Sequence, residues 1–173
     1  MGVDARAAAW NGSSVSGTPF NATTSGAVPQ PYSAKPADLD AVFELEAASF
    51  SDPWSRASFD ELLLNERATF GVIRSAVNEL LAYGVVLLAA DEAELANIAV
   101  VPASRGRGLG DALLAWLLQS AAARGARTIF LEVRASNAAA RRLYEKQGFS
   151  RISVRKAYYR NPTEDAVVMK ADL

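Results

Sequence analysis

Apolar residues along the chain switch between two periods, and each switch marks an element. Leu39, Val42, Phe43, Leu45 and Phe50 recur near helical spacing, with Asp38 and Asp40 early, where the positive end of a helix favours carboxylates. This predicts a first helix from about Pro36. Pro53 and Trp54 interrupt the run. Ser55 can cap a second helix with its hydroxyl, and Phe59, Leu62 and Leu63 give that helix an apolar face as far as about Asn65. Residues 69–74, 80–89 and 94–101 then read as strands separated by polar turns around Asn78 and Asp91-Glu92, which predicts an antiparallel meander. After Pro102 a glycine-rich loop, residues 105–110 (RGRGLG), feeds directly into an amphipathic helix that carries Leu113, Leu114, Leu117 and Ala121 and ends at Gly125. Residues 128–133 read as a buried strand, 136–147 as a helix closed by Gly148, and the last two strands fall near 149–156 and 166–170. This order predicts an α/β fold: a central mixed, mostly antiparallel sheet with helices on both faces.

Residues 1–31 show neither period, and Asp4 and Arg6 are their only charges. Such a stretch cannot offset its ordering entropy by burial, so a disordered, low-complexity N-terminal tail is expected, followed by one domain over residues 32–173. A chain of 173 residues, half of them apolar, supports one well-buried core. The net charge of -1 supplies no broad attraction to nucleic acid, and no direct nucleic-acid partner is expected. The chain has no Cys and no His, which removes disulfides, thiolate metal sites, a cysteine nucleophile and the commonest base, so no metal site is expected. Acid–base chemistry falls to carboxylate, Tyr, Lys or backbone. The opening MGVDARAAAW lacks the cationic and apolar runs of a secretory signal, and no segment reaches the roughly 18 apolar residues of a membrane span. A cytoplasmic protein with no membrane partner is therefore expected.

The loop at 105–110 combines small residues that let backbone N–H groups point inward, a helix start with its positive end, and two flanking arginines. Together these suit a phosphate. It lacks the Gly-Lys-Ser/Thr ending of a P-loop, and Leu113 stands where a dinucleotide fingerprint beginning at Gly108 needs its third glycine, so a different pyrophosphate is indicated. Taken alone, a flexible turn with solvated arginines stays open. Glu132 is a second signal, because it interrupts the apolar strand IFLEV at 129–133, where an unpaired carboxylate is costly. It is either a base or a structural carboxylate, paired with Arg134 or another cation or solvated at the sheet edge. Tyr144, beside Leu143, fits core packing by spacing alone.

The pattern Arg105-x-x-Gly108-x-Gly110, preceded by NIAV at 97–100 and followed by a helix, resembles the acyl-CoA pyrophosphate loop of the GNAT superfamily of N-acetyltransferases. The likeness spans about residues 33–173. LEVRASNAAARRLYEKQGF at 131–149, PWS at 53–55, Tyr158-Tyr159 and EDAVVM at 164–169 are similar to the RimI-type subfamily, which acetylates the N-terminal alanine of a small-subunit ribosomal protein. The resemblance implies the GNAT fold and acetyl-CoA as cofactor. It places the pantetheine arm on Ile98, Ala99 and Val100, and the pyrophosphate on Arg105, Gly106, Arg107, Gly108, Leu109 and Gly110. Asn137 would meet the cofactor arm, although capping a helix is an equally common task for it. Gly106 lies where relatives often carry a long polar residue, a loss for which Arg107 can compensate.

The resemblance also makes Glu132 the general base for an amine of pKa near ~8 and brings Tyr144 to the sulfur of the leaving CoA. A thiol pKa of roughly 8.5 against roughly 10 for a phenol favours a hydrogen bond there over complete proton transfer. Trp54, Ser55, Tyr158 and Tyr159 would border the peptide slot of the acceptor, with strand packing an open alternative for the tyrosine pair. The expected activity is direct acetyl transfer to a protein N-terminal amine, in particular the N-terminal Ala of a ribosomal protein. Two alternatives stand: a GNAT that acetylates a small free amine, and a non-catalytic acyl-CoA-binding module. The presence of both Glu132 and Tyr144 counts against the second.

Overall fold

The computed structural model describes residues 28–173. A two-residue strand, β1 (Tyr32–Ser33), precedes the two N-terminal helices that the apolar period predicts, α1 (Leu39–Ser49) and α2 (Arg56–Leu64). Ser55 starts α2 as expected: its hydroxyl accepts from the Ser58 N–H at 3.1 Å. The meander follows as β2 (Ala68–Arg74), β3 (Leu80–Ala89) and β4 (Glu92–Val100). Then come α3 (Leu109–Ala123), β5 (Thr128–Arg134), α4 (Ala138–Lys146), β6 (Ser150–Arg160) and β7 (Thr163–Asp172). The expected tail at 1–31 falls mostly outside the described residues; within 28–31, Val28 packs against the core cluster beneath α3.

The strands lie in the order β1-β2-β3-β4-β5-β7-β6, antiparallel except for β4 and β5. That parallel junction is short. Glu92, Ala93 and Glu94 pair with Thr128, Ile129 and Phe130, after which β4 runs on to Val100 and β5 to Arg134 without pairing to each other. Opposite the junction, Val85 pairs with Asn97 and Val86 with Leu95, so Ala96 is the extra residue of a β-bulge that bends β4 away. The sheet thus splits into two halves joined at one end, and the wedge between them is the feature on which the site is built.

Each face of the sheet has its own core. Leu113, Leu114 and Leu117 of α3 and Tyr144 of α4 pack with Leu95, Ile129, Leu131 and Val133 on one face. Leu39, Val42 and Leu45 of α1 and Phe59 and Leu62 of α2 pack with Val72, Tyr83 and Val85 on the other. Each fully buried leucine contributes about 1.5–3 kcal/mol. Two strand glycines let α3 approach closely: a Cβ at Gly71 would lie 2.7 Å from the Trp116 ring, and one at Gly84 would lie 2.8 Å from Leu117 Cδ1.

Candidate active site

A cleft of about 360 Å³ opens where β4 leaves β5 and is closed below by the α3 entry and by α4. Ile98, Ala99 and Val100 line it from β4, the loop contributes Arg105, Gly106, Gly108, Leu109 and Gly110, and Asn137 lines it from the start of α4. Beyond Glu94, β4 pairs only with β3, so the backbone groups on its β5 side are available to a ligand. Gly106 and Gly108 adopt φ of +72° and +80°, a left-handed conformation that turns the loop into α3 and that side chains disfavour. A Cβ at Gly106 would meet nothing within 4 Å, and one at Gly110 would press on Leu143 at 3.3 Å. The loop is therefore a cradle kept open by missing side chains, at the positive end of a 15-residue helix.

Arg105 folds over the end of β4, its Nε donating to the Val100 carbonyl at 3.1 Å. Burial lowers its pKa, from so high a starting value that it stays cationic at neutral pH. Arg107 is exposed and does not line the cleft. Asn137 caps α4, its side chain accepting from the Ala140 N–H at 3.1 Å, and it also lines the cleft. Two cations that sequence reasoning passed over, Arg142 and Lys146, line the same cleft one helical turn apart on α4. Their i,i+4 spacing was legible; that this face of α4 meets the loop was not. Ser49 and Phe50 at the end of α1 also line the cleft, and the Ser49 hydroxyl is buried with no hydrogen-bond partner among the described residues.

Glu132 sits on β5 just past the junction and is 7% exposed. Arg134 is not its partner. The carboxylate accepts from the Tyr158 hydroxyl at 3.0 Å and pairs with Arg155 at 2.6 Å, both from β6. Glu94 faces the same side of the sheet, and its carboxyl pKa is raised by burial first and by the Glu132 charge second. Tyr144 is fully buried against Phe149, with ring centroids 5.8 Å apart. Its hydroxyl has no hydrogen-bond partner among the described residues, and burial pushes its pKa up, which leaves it a neutral donor.

The other expected residues gather on the α1/α2 side. Trp54 stacks on Phe59 at 5.7 Å, and its backbone N–H donates to Glu46 Oε1 at 2.9 Å. Glu46 is 1% exposed and also accepts from the Tyr83 hydroxyl and, at 3.1 and 3.3 Å, from Asn97 Nδ2 beside the β4 bulge. Ser55 is committed to the α2 cap. Tyr158 and Tyr159 meet edge to face at 5.2 Å, with Tyr158 on Glu132 and Tyr159 buried under the Arg134 guanidinium at 4.1 Å. Asp165 caps the bulge of β6 by accepting from the Ala157 N–H at 3.0 Å and Lys156 Nζ at 2.7 Å.

The sheet splits beside a glycine cradle and carries a buried carboxylate just past the split, and the profile of the acetyltransferase (GNAT) family matches residues 39–149. The chain belongs to the GNAT acetyltransferase family. It is 41% identical over 140 residues to the ribosomal protein bS18-alanine N-acetyltransferase of Salmonella typhimurium, covering 76% of this chain and 89% of the relative. The crystal structure of the ribosomal-protein-S18-alanine N-acetyltransferase from Escherichia coli superposes with a TM-score of 0.75 at 36% identity, over 83% of this chain and 92% of that one. A GNAT phosphinothricin acetyltransferase from Sinorhizobium meliloti, solved in complex with AcCoA, shares the fold at a TM-score of 0.74 and 20% identity, over 85% of this chain and 89% of that one. This GNAT chain is an N-acetyltransferase, and GNAT acetyltransferases use acetyl-CoA.

The GNAT cleft fits that cofactor on its own chemistry. Phosphates suit the open cradle with Arg105, Arg142 and Lys146 around it, and an extended amide arm suits the unpaired edge of β4. Among the described residues, no helix is long and apolar enough to cross a membrane.

Proposed function

We propose that this chain acetylates the N-terminal amine of a protein, with the N-terminal alanine of ribosomal protein bS18 as acceptor and acetyl-CoA as donor, in the cytoplasm and without direct contact to nucleic acid. The observation that carries this reading is the placement of Glu132: a buried carboxylate just past the point where the sheet splits, flanked by the tyrosine pair of β6 and opening to the side that α1 and α2 leave uncovered. The relatives named for bS18-alanine acetylation supply the acceptor.

When bound, acetyl-CoA supplies an acetyl group activated as a thioester. The edge of β4 at Ile98, Ala99 and Val100 orients its arm, and Arg105 to Gly110 with Asn137 hold its phosphate end. An α-amine of pKa near ~8 arrives mostly protonated at neutral pH and must lose a proton to act as nucleophile. Glu132 takes that proton. A carboxylate has about four lone-pair sites, so it accepts the ammonium while keeping Tyr158 and Arg155, and those two contacts fix its orientation. Tyr144 donates its unpartnered hydroxyl to the departing sulfur. With no Cys in the chain to carry the acetyl group as a thioester, direct transfer between the two bound substrates is favoured over an acetyl-enzyme. Trp54, Tyr158 and Tyr159 form the walls that receive the first residues of the acceptor, with Ser55 holding the start of α2 beside them.

The test is acetylation followed by mass spectrometry, with acetyl-CoA and a mixture of peptides that differ in their first residue, alongside free amino acids and polyamines. Labelling of peptide α-amines, above all those beginning with Ala, is expected. Labelling of free amines alone would transfer the reading to a small-molecule GNAT. No labelling despite acetyl-CoA binding would leave a cofactor-binding module.

A further inference from the structure

Arg134 stands two residues past Glu132 on the same face of β5, and at 7% exposure it is the one buried cation among the described residues. Its contacts reach in two directions. Nη2 donates to the Ser51 hydroxyl at 3.2 Å, in the loop between α1 and α2, and to the Asn161 carbonyl at 3.0 Å, in the turn between β6 and β7. Nη1 donates to the Pro162 carbonyl at 3.2 Å and to Glu164 Oε2 at 3.3 Å, and Glu164 in turn accepts from the Ser136 N–H through its other oxygen. The guanidinium carbon lies over the Tyr159 ring at 4.1 Å from its centroid, and Tyr158, the edge-to-face partner of Tyr159, touches Glu132. The two loops are otherwise far apart in the chain and belong to opposite halves of the split sheet.

We infer that Arg134 is a positioning residue that locks the two walls of the acceptor slot to each other and thereby sets affinity for the acceptor's chain beyond its amine. The inference rests on the proposed acceptor slot. Two features of the site require an arginine: a planar fork reaching two loops at once, and a delocalised cation over the Tyr159 ring. Lysine, a point charge with no plane, supplies neither. The direct link from Arg134 to the α1–α2 wall is one hydrogen bond to Ser51, and Ser51 is exposed, so this end of the brace can be cut without touching the core.

Two variants and two readouts test the brace. Arg134→Gln removes the fork, and Ser51→Ala cuts only the α1–α2 end while the domain stays intact. Hydrogen exchange in the free protein should rise at residues 50–55 and 160–164 together in Arg134→Gln, and at 50–55 alone in Ser51→Ala. With a hexapeptide beginning with Ala, KM should rise about tenfold in Arg134→Gln and less in Ser51→Ala, with kcat held within about twofold in both, the scale set by losing charged hydrogen bonds. A purely structural arginine would instead lower the active fraction, cutting kcat with KM unchanged, and that result overturns the inference. Unchanged exchange at 50–55 in both variants overturns it as well. Should the wild type acetylate no peptide, the acceptor reading fails, while the exchange arm still decides whether Arg134 joins the two loops.

Discussion

Two residues separate function from stability in this site because each holds a polar group where burial makes it expensive. The Tyr144 hydroxyl is buried with no partner among the described residues, a situation that costs about 1–3 kcal/mol while its ring fills the core beside Phe149. Tyr144→Phe keeps the ring, so the domain should be unchanged or more stable by about 1 kcal/mol in denaturant unfolding, while turnover falls. A stability loss would show that the hydroxyl has a partner after all. Glu46 is the complementary case. Burial raises its carboxyl pKa, although the Trp54 N–H, Tyr83 and Asn97 all donate to it and oppose that rise. With the folded value above the unfolded one, its contribution to stability is fully present below the unfolded pKa and is lost as pH rises through the folded pKa. The stability of wild type relative to Glu46→Gln should therefore decline as pH is raised from about 4 toward neutrality, in unfolding titrations at a series of pH values. A flat difference would mean that the carboxyl titrates alike in both states. At this scale Glu132 is legible because a charge in an apolar strand is conspicuous, while which cation pairs with it was not, because Arg155 and Tyr158 arrive from a strand more than twenty residues later. Glu46 escaped notice for the opposite reason: on an amphipathic helix rich in acids, nothing in its spacing marks it as the one that points inward.

Among the elements, those with a strong period were legible and those whose order comes from neighbours were not. The leucines of α3 and the near-continuous apolar runs of β2 to β4 announce themselves. β7 was foreseen only over its apolar centre, because Thr163 to Asp165 and the last residues are polar and become strand by pairing with β5 on one side and β6 on the other. β6 is an exposed edge whose bulge lies at Arg155 to Tyr159, where Ala157 takes a φ of 50°, and no alternation survives such an interruption. The two-residue β1 is too short for any periodic signal. The same distinction applies to glycine: Gly84 looks like a flaw in β3, yet its missing side chain is what seats Leu117 of α3 on the sheet. Gly84→Ala places a methyl 2.8 Å from Leu117 Cδ1 and 3.3 Å from the Asn97 carbonyl, so it should destabilise the domain by about 1–3 kcal/mol through overpacking. The denaturant midpoint measures this, and in a Leu117→Ala background, itself less stable, the same glycine substitution should cost less because the space the methyl needs is open.

For the molecule as a whole, the balanced charge and the split sheet assign binding and chemistry to different parts. A net charge of -1 over the full chain gives no long-range pull on an anionic cofactor, so the grip must come from the local cations around the cradle and from backbone groups that the wedge leaves unpaired. The two half-sheets share only three residue pairs at the β4–β5 junction, and a ligand lying across the wedge touches β4, the loop and α4 at once. Acetyl-CoA at a hundredfold excess over its Kd should therefore stabilise the folded domain by about 2.7 kcal/mol, seen as a raised thermal midpoint. Arg105 lines the cradle and Glu132 is proposed for the acceptor side, so the two should separate under this measurement. Arg105→Ala should shrink the shift at a given acetyl-CoA concentration, and Glu132→Gln should retain it in full while losing turnover by about a hundredfold. If Glu132→Gln lost the thermal shift along with the activity, the carboxylate would belong to the cofactor's binding and not to the amine's deprotonation, and the base role would pass to Glu94, the other partly buried carboxylate on that face.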